Sequence, residues 1–387
     1  MTNRLVEVSG MDGIKILHTG DLHLGMSFAR SKLPAEIGRI RRQELWETFD
    51  RIIDTAKAEE VDLMLIAGDM FEYNYCTASD IKRINDRFAR IPGTRVLIAP
   101  GNHDPALPDS LYNTCRWQPN VHIFRTSDIC ALELEGLGTT VWGLGWDRDY
   151  IVDPLLEGFK AADGGINILL VHGEVVPEGN TSDYLPIYLR HLAECGADYA
   201  ALGHVHKGGV VEHGGRGTAR YCTSPEPISF NEDGDHGICI GTVGKGFCDV
   251  KFLPIAKRRF ITRRINPDPA GDAAEVLGQM KGHIMKEGEE NLYRFLLEGA
   301  MDPGADLDTT YLAQAAQAFH VEVKNNTYIG YDLDAIMEEG QNSIMGAFAA
   351  RILDQLDREG DLRRRAVLER ALYIGLDALN GRKVVGR

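Results

Sequence analysis

Leu63-Met64-Leu65-Ile66-Ala67-Gly68-Asp69-Met70-Phe71 is a short apolar run that breaks on a glycine and an aspartate. An unbroken apolar run of this length, bounded by a turn, fits a strand buried on both faces. Gly68 lets the backbone turn tightly. A carboxylate delivered to the end of such a strand is costly unless it meets a cation or a hydrogen-bonding partner. The carboxyl edge of an open α/β sheet is also where ligands sit. Asp69 is therefore expected to face a cation or a substrate group.

The same arrangement recurs on either side. Ile14–Leu17 leads through His18 to Asp21-Leu22-His23, and Arg95–Pro100 leads to Gly101-Asn102-His103-Asp104. Ile166–Val171 leads to His172-Gly173, and Asp198–Leu202 leads to Gly203-His204-Val205-His206. As alternate residues at strand ends, Asp21 and His23 are expected to point one way, and His204 and His206 to share a face. Helical spacing over 39–61 (Leu45, Phe49, Ile52, Ile53, Ala56) and over 79–90 separates the first three strands. That order implies parallel crossovers. Residues 119–146 suggest a hairpin or meander, 186–195 a helix, and 221–230 and 238–252 further β pattern. His18 and His122 read as structural.

The 387 residues are 44% hydrophobic and 26% charged, an ordinary globular balance with room for two domains. The seven cysteines are scattered and form no Cys-x-x-Cys pair, against a disulfide framework or a zinc ribbon. A net charge of −15 argues against a simple DNA-coating protein. It leaves room for an enzyme with a local basic track or bound metal ions. No run reaches the eighteen or so apolar residues of a membrane span, and Met1–Gly13 lacks a signal-peptide core. A cytoplasmic protein with no membrane partner is expected.

The five strand-end motifs offer imidazole, carboxylate and carboxamide ligands and no thiolate. That set suits two divalent metal ions, with Mn2+, Fe or Zn favoured over copper, and calcium wanting more oxygens. The motifs in this order resemble the calcineurin-like metallophosphoesterase superfamily over roughly residues 14–252. More narrowly they resemble the SbcD-type DNA repair exonucleases, YhaO-like members included. The narrower cues are His18-Thr-Gly-Asp-Leu-His-Leu-Gly25, Gly68-Asp-Met-Phe71 and Tyr221-Cys-Thr-Ser-Pro-Glu-Pro-Ile-Ser-Phe230. The superfamily's protein phosphatases are less similar, since Phe71-Glu72-Tyr73 stands where they carry Asp-Arg-Gly.

The resemblance implies a four-layer α/β/β/α sandwich with a smaller C-terminal α+β capping region ending in helices. It implies that Asp21, His23 and His206 hold one ion, that Asn102, His172 and His204 hold the other, and that Asp69 bridges them. His103 would contact the scissile phosphate and help the leaving oxygen depart. Asp104 could orient the His103 ring or cap the next turn. Glu72 departs from the aspartate that relatives often carry, and Cys222-Thr223 from a small, glycine-containing pair.

The expected domains are a nuclease domain at 12–253, a capping and DNA-contacting domain at 254–342, and a helical segment at 343–387 that could bind a partner. The basic run Lys257–Arg264 contains Arg258, Arg259, Arg263 and Arg264. It reads either as a track for a DNA backbone or as a solvated strand edge. Stripes at Ile344, Phe348, Ile352, Leu356 and at Leu368, Leu372, Leu376, Leu379 could dock an SbcC-like ABC-type ATPase or pack on their own domain. The family implies a homodimer. The function expected is a metal-dependent DNA exonuclease, with possible endonuclease activity. The alternatives are a cyclic-nucleotide or other small-molecule phosphodiesterase or phosphatase, and a regulatory subunit of an ATPase complex.

Overall fold

The computed structural model describes residues 13–28, 33–302, 305–340 and 343–381; the polar start noted for its lack of a signal-peptide core lies outside the described residues up to residue 12. The chain forms two compact units, Met1–Phe260 and Ile261–Arg387.

The first unit opens with β1 (Gly13–Thr19), α1 (Ala35–Ala58), β2 (Leu63–Ile66), α2 (Ala78–Phe88) and β3 (Arg95–Ile98). β2 lies between β1 and β3 and is parallel to both. α2 starts where Asp80 accepts from the backbone N–H and hydroxyl of Thr77, which satisfies an otherwise orphaned donor. A short α3 (Leu111–Thr114) and β4 (Val121–Ile123) follow. Next come β5 (Cys130–Leu134), β6 (Thr139–Gly143), β7 (Ile166–His172), β8 (Glu174–Val175), β9 (Pro186–Ile187) and α4 (Leu189–Glu194). The unit closes with β10 (Tyr199–Gly203), β11 (Gly209–Val211), β12 (Thr218–Tyr221), β13 (Gly237–Gly244) and β14 (Phe247–Pro254).

Among the described residues twelve of these strands make two six-stranded sheets, ordered β14-β13-β1-β2-β3-β4 and β11-β12-β10-β7-β6-β5, and β8 pairs with β9. Strand periodicity explains the unbroken apolar run of β2. Met64 and Ile66 face Phe49, Ile52 and Phe88 of the helices. Leu63 and Leu65 face the second sheet, in one cluster with Ile168, Leu170 and Tyr199. The far face of the second sheet packs Leu169, Val171 and Leu202 against Leu192 of α4 and Trp146. The layers are therefore helix, sheet, sheet, helix, as the family resemblance implies.

Three local expectations are corrected. β4 does not join a meander; it adds to the first sheet parallel to β3, while β5 and β6 form the hairpin in the second sheet. Ile123 and Phe124 explain the split, because one packs with the helix-side core and the other between the sheets. Pro186 and Ile187 pair with β8, so the helix expected from 186 begins only at Leu189. Residues 222–230 are irregular rather than β, as their two prolines require.

The second unit contains β15 (Phe260–Ile265), which starts on the last residue of the first, then α5 (Ala273–Glu287) and β16 (Leu292–Leu297). β17 (Ala300–Met301), α6 (Thr309–Ala315), β18 (His320–Asn325), β19 (Tyr328–Ile329) and α7 (Leu333–Glu339) follow. β15, β16 and β18 form a sheet over a core of Val276, Met280, Phe295 and Leu312. Finally α8 (Ile344–Arg358) and α9 (Leu362–Leu379) pack on each other through Phe348, Ile352, Leu372 and Leu376. Much of both apolar stripes is therefore used internally, while Ile344, Leu362 and Val367 stay exposed. No helix among the described residues is long and apolar enough to cross a membrane.

Candidate metal centre

The loops after β1 and β2 are zipped together by backbone hydrogen bonds. Asp21 donates to Gly68 O at 3.0 Å, His23 to Asp69 O at 2.9 Å and Leu24 to Met70 O at 3.1 Å. Unusual backbone accompanies the zipper at Asp21, His23 and Asp69 and recurs at His204, whose N–H donates to the Asp21 carboxylate. Asp21, His23, Asp69 and His204 have φ of 50°, 45°, 48° and 96°. Left-handed conformations in residues with a Cβ cost on the order of 1–3 kcal/mol each and persist where the surroundings over-determine them. This corrects the sequence reading of extended strand ends. Asp21 and His23 lie beyond β1, and it is the left-handed turn that aims both side chains inward.

Three groups of donor atoms result. Asp21, His23 and His206 offer ligand atoms within 4.8 Å of one another, and so do Asp21, Asp69 and His172 and, nearer the rim, His23, Glu72 and His103. His172 Nε2 lies 2.9 Å from Asn102 Oδ1 and 3.4 Å from Asp69 Oδ2. His204 Nδ1 lies 3.2 Å from the same Asn102 oxygen. Asp21 belongs to both of the buried groups, and Asp69 Oδ2 is also 4.0 Å from His23 Nε2. His204 and His206 do not share a face: one joins Asn102 and His172, the other joins Asp21 and His23.

The hydrogen bonds of the rings test whether cations fit. His172 Nδ1 donates to the Ala67 carbonyl at 2.9 Å, which turns Nε2 toward the oxygens of Asn102 and Asp69. His23 Nδ1 donates to Glu72 Oε1 at 2.8 Å, and His206 Nδ1 faces Glu232 Oε1 at 3.4 Å. Burial pulls the His206 pKa down, but Glu232 and Asp21 outweigh it and hold it at about 9, so a proton bridges the two Nε2 atoms, which lie 3.1 Å apart. A divalent cation would take the place of that proton. Ligand–ligand spacings of about 3 Å are those of N and O donors about 2.0–2.2 Å from a common ion. The outward N–H of each ring meeting a carboxylate or carbonyl is the usual outer arrangement of metal-binding histidines. The residues present fit divalent ions.

Glycines allow the approach. A Cβ at Gly203 would sit 1.7 Å from Ala67 O, and one at Gly101 would sit 2.3 Å from Asp69 Oδ1. His103 stands at the rim, with its side chain 46% exposed, while Asp21, His23, Asp69 and His172 are buried. Its backbone N–H donates to Asp69 Oδ1 at 2.8 Å and its Nδ1 meets Glu72 at 3.2 Å. The hydrogen bond to Glu72 raises the His103 pKa to about 9, against the pull of burial. Burial works to raise the Glu72 carboxyl, but the bonds from His103 and His23 outweigh it and hold it at about 2.

Asp104 is corrected. It does not touch the His103 ring. Its carboxylate accepts from the backbone of Asp69, Met70, Phe71 and Gly101 and from Tyr112 Oη. It staples two site loops together from beneath. Glu72 holds the ring instead. In the sequence Glu72 stands out only as a departure from relatives, and Glu232 does not stand out at all. An isolated glutamate in a loop carries no periodicity to mark it, although Glu232 follows the 221–230 motif directly.

Each of the four arginines meets a carboxylate. Arg258 Nε donates to Glu44 Oε1 at 2.8 Å, and Arg263 grips Glu287 with two nitrogens at 2.9 Å. Arg259 is 3.7 Å from Asp235 and Arg264 is 3.5 Å from Glu298. The last two side chains are the more exposed, 40% and 75%.

The family model for calcineurin-like phosphoesterases matches residues 14–208, half of the chain. Over 248 residues the chain is 26% identical to the uncharacterized metallophosphoesterase YhaO of Bacillus subtilis, a match covering 62% of this chain and 60% of that one. Over 261 residues it is 25% identical to the SbcD subunit of the SbcCD nuclease of Escherichia coli K12, covering 57% and 62%. The chain thus spans about three fifths of the length of these curated relatives. A crystal structure of TT1561 of Thermus thermophilus aligns at a TM-score of 0.37 and 10% identity, covering 59% of this chain and 98% of that one. With its strand-end ligands, its paired sheets and half of its length matched by one model, the chain belongs to the calcineurin-like metallophosphoesterases.

Proposed function

We propose that the protein is a metal-dependent phosphodiesterase that hydrolyses DNA phosphodiester bonds, acting as an exonuclease in DNA repair. The observation that carries this reading is the pair of donor clusters that share Asp21 and flank Asp69, with His103 open to solvent beside them. Asp21, His23 and His206 hold one ion, Asn102, His172 and His204 the other, and Asp69 reaches both. The donor set favours Mn2+, with Fe or Zn as alternatives. Two such ions would supply charge neutralisation for a phosphate and lower the pKa of water enough to make a nucleophile near neutral pH.

The protein's own part is positioning and proton supply. Glu72 occupies Nδ1 of His103 and leaves Nε2 as the atom that can donate to the departing oxygen. A group held cationic at neutral pH suits that task, and such general-acid help is worth about 10²–10⁴ in rate. The DNA assignment draws on the similarity to the SbcCD nuclease and on the exposed arginines 259 and 264. On the same basis we assign 254–342 as a DNA-contacting cap and 343–387 as a segment for an SbcC-like ATPase, in a cytoplasmic homodimer.

Cleavage of linear duplex DNA, bis-p-nitrophenyl phosphate and cyclic nucleotides with Mn2+ tests the assignment. Turnover of duplex ends is expected. Hydrolysis of the small esters with DNA left intact would transfer the protein to the small-molecule phosphodiesterases.

A further inference from the structure

The stretch Ser224-Pro225-Glu226-Pro227-Ile228-Ser229-Phe230-Asn231-Glu232 contains no helix or strand, yet two of its polar side chains, Ser224 and Glu226, are almost fully buried. It is pinned at two points. At the first, Glu226 accepts from Arg41 at 2.7 Å, from Thr48 at 2.6 Å and from the backbone N–H of Lys257 at 2.9 Å. Arg41, itself buried, also donates to Pro227 O at 2.9 Å and to Glu44. A buried charge pair is tolerated when most of its remaining hydrogen-bonding capacity is filled in this way, and here Arg41 Nε is the nitrogen left unbonded. At the second, Glu232 Oε2 accepts from Ser224 Oγ at 2.7 Å and from the Ile228 N–H at 3.2 Å. Its other oxygen accepts from Ser229 Oγ at 3.2 Å and faces His206 Nδ1 at 3.4 Å.

His206 needs such a partner more than the other rings do. His172 sits within β7 and is fixed by the Ala67 carbonyl. His204 stacks on Tyr184 with centroids 4.7 Å apart. His206 lies in the loop beyond β10, with no strand to set its direction. Without an acceptor at Nδ1 the ring loses the contact that turns its Nε2 toward Asp21 and His23.

We propose that Glu232 is the positioning residue for His206 and that residues 224–232 are the strap that holds Glu232 in place. The strap thereby sets the affinity of one ion site, that of Asp21, His23 and His206, and not of the other. This rests on the two-ion reading above.

The test is calorimetric titration of metal-free protein with Mn2+, with elemental analysis of the loaded protein and a thermal melt of the metal-free form. Glu232→Ala is expected to weaken one of two ions by about 10–100-fold, the usual effect of losing a ligand's outer partner, with the other ion within about twofold. Glu232→Gln, which can keep an oxygen on Nδ1, recovers part of the loss. Ser224→Ala, which touches Glu232 and not His206, shows a smaller loss at the same site with an unchanged melt. Retention of both ions at wild-type affinity in Glu232→Ala overturns the proposal. So does equal weakening of both ions alongside a lowered melt, because that is a folding effect. If the wild type itself fails to take up two ions, the two-ion reading fails, and that result is visible before any variant is made.

Discussion

His103 and Asp104 are neighbours with opposite surroundings, and the difference decides what each does. His103 is open, and its ring meets a single carboxylate. Replacing it by alanine removes the proton donor and leaves the donor atoms around Asp69 in place. Turnover should fall by about 10²–10⁴, with metal content by elemental analysis and melting temperature unchanged; loss of metal would refute the role. Asp104 is fully buried under five donors. Asp104→Asn turns one acceptor into a donor aimed at N–H groups, an unsatisfied arrangement that costs about 1–3 kcal/mol. Denaturant midpoints should drop accordingly. His18 gives a third residue-scale prediction. Burial holds its pKa down to about 3, with Nδ1 bonded to Tyr199 Oη at 2.9 Å. The unfolded chain takes up that proton near pH 6.5 and the folded chain does not. Stability is therefore lost as pH falls from about 6.5 towards 3, by about 1.4 kcal/mol per pH unit. In metal-free protein, His18→Gln should show a drop between pH 7 and pH 5 that is about 2 kcal/mol smaller than that of wild type.

At the scale of elements, the site depends on how closely two sheets approach at their strand ends. The turn after β2 and the end of β10 meet where Gly203 abuts the Ala67 carbonyl. Gly203→Ala sets a methyl against backbone, which cannot rotate away. Overpacking of this kind costs about 1–3 kcal/mol or more. The variant should lose affinity for both ions together in a Mn2+ titration, unlike a change at one ligand. The wholly apolar Leu63–Ile66 announced a strand buried on both faces, and the alternation of helix and strand around it announced the parallel core. Glycine before four of the five acidic or imidazole turns, and after His172 in the fifth, announced the convergence. The left-handed backbone at Asp21, His23, Asp69 and His204 was not legible, because it is imposed by hydrogen bonds between loops far apart in the chain. Glu72 and Glu232 were hidden for a related reason. Their role is to touch the far side of a histidine ring, a relation of space without any spacing in sequence. β4 was misassigned because three short apolar runs in a row look alike whichever sheet receives them.

For the molecule as a whole the open question is how an acidic chain, at −15 overall, would hold a polyanion. Bulk charge works against it, so the attraction must be local, and the basic run at 257–264 is the candidate. Its arginines are not equivalent. Arg258 and Arg263 are drawn onto Glu44 and Glu287, so a phosphate would have to displace a short carboxylate contact. Arg259 and Arg264 stand at looser distances from Asp235 and Glu298 and are more exposed. Ion pairs of that kind are worth little in water and yield readily to a competing anion. The double variant Arg259→Gln/Arg264→Gln should therefore account for most of the affinity lost when all four arginines are neutralised. Each phosphate contact removed flattens the plot of log affinity against log salt by about 0.9 on duplex DNA. Binding of linear duplex across a salt series should show the slope of the double variant reduced by about 1–2. Arg258→Gln should instead leave the slope alone and lower the melting temperature, since it strips a partner from buried Glu44. A slope that stays at its wild-type value in the double variant would assign the run to holding the fold and send the search for the DNA track elsewhere on the protein.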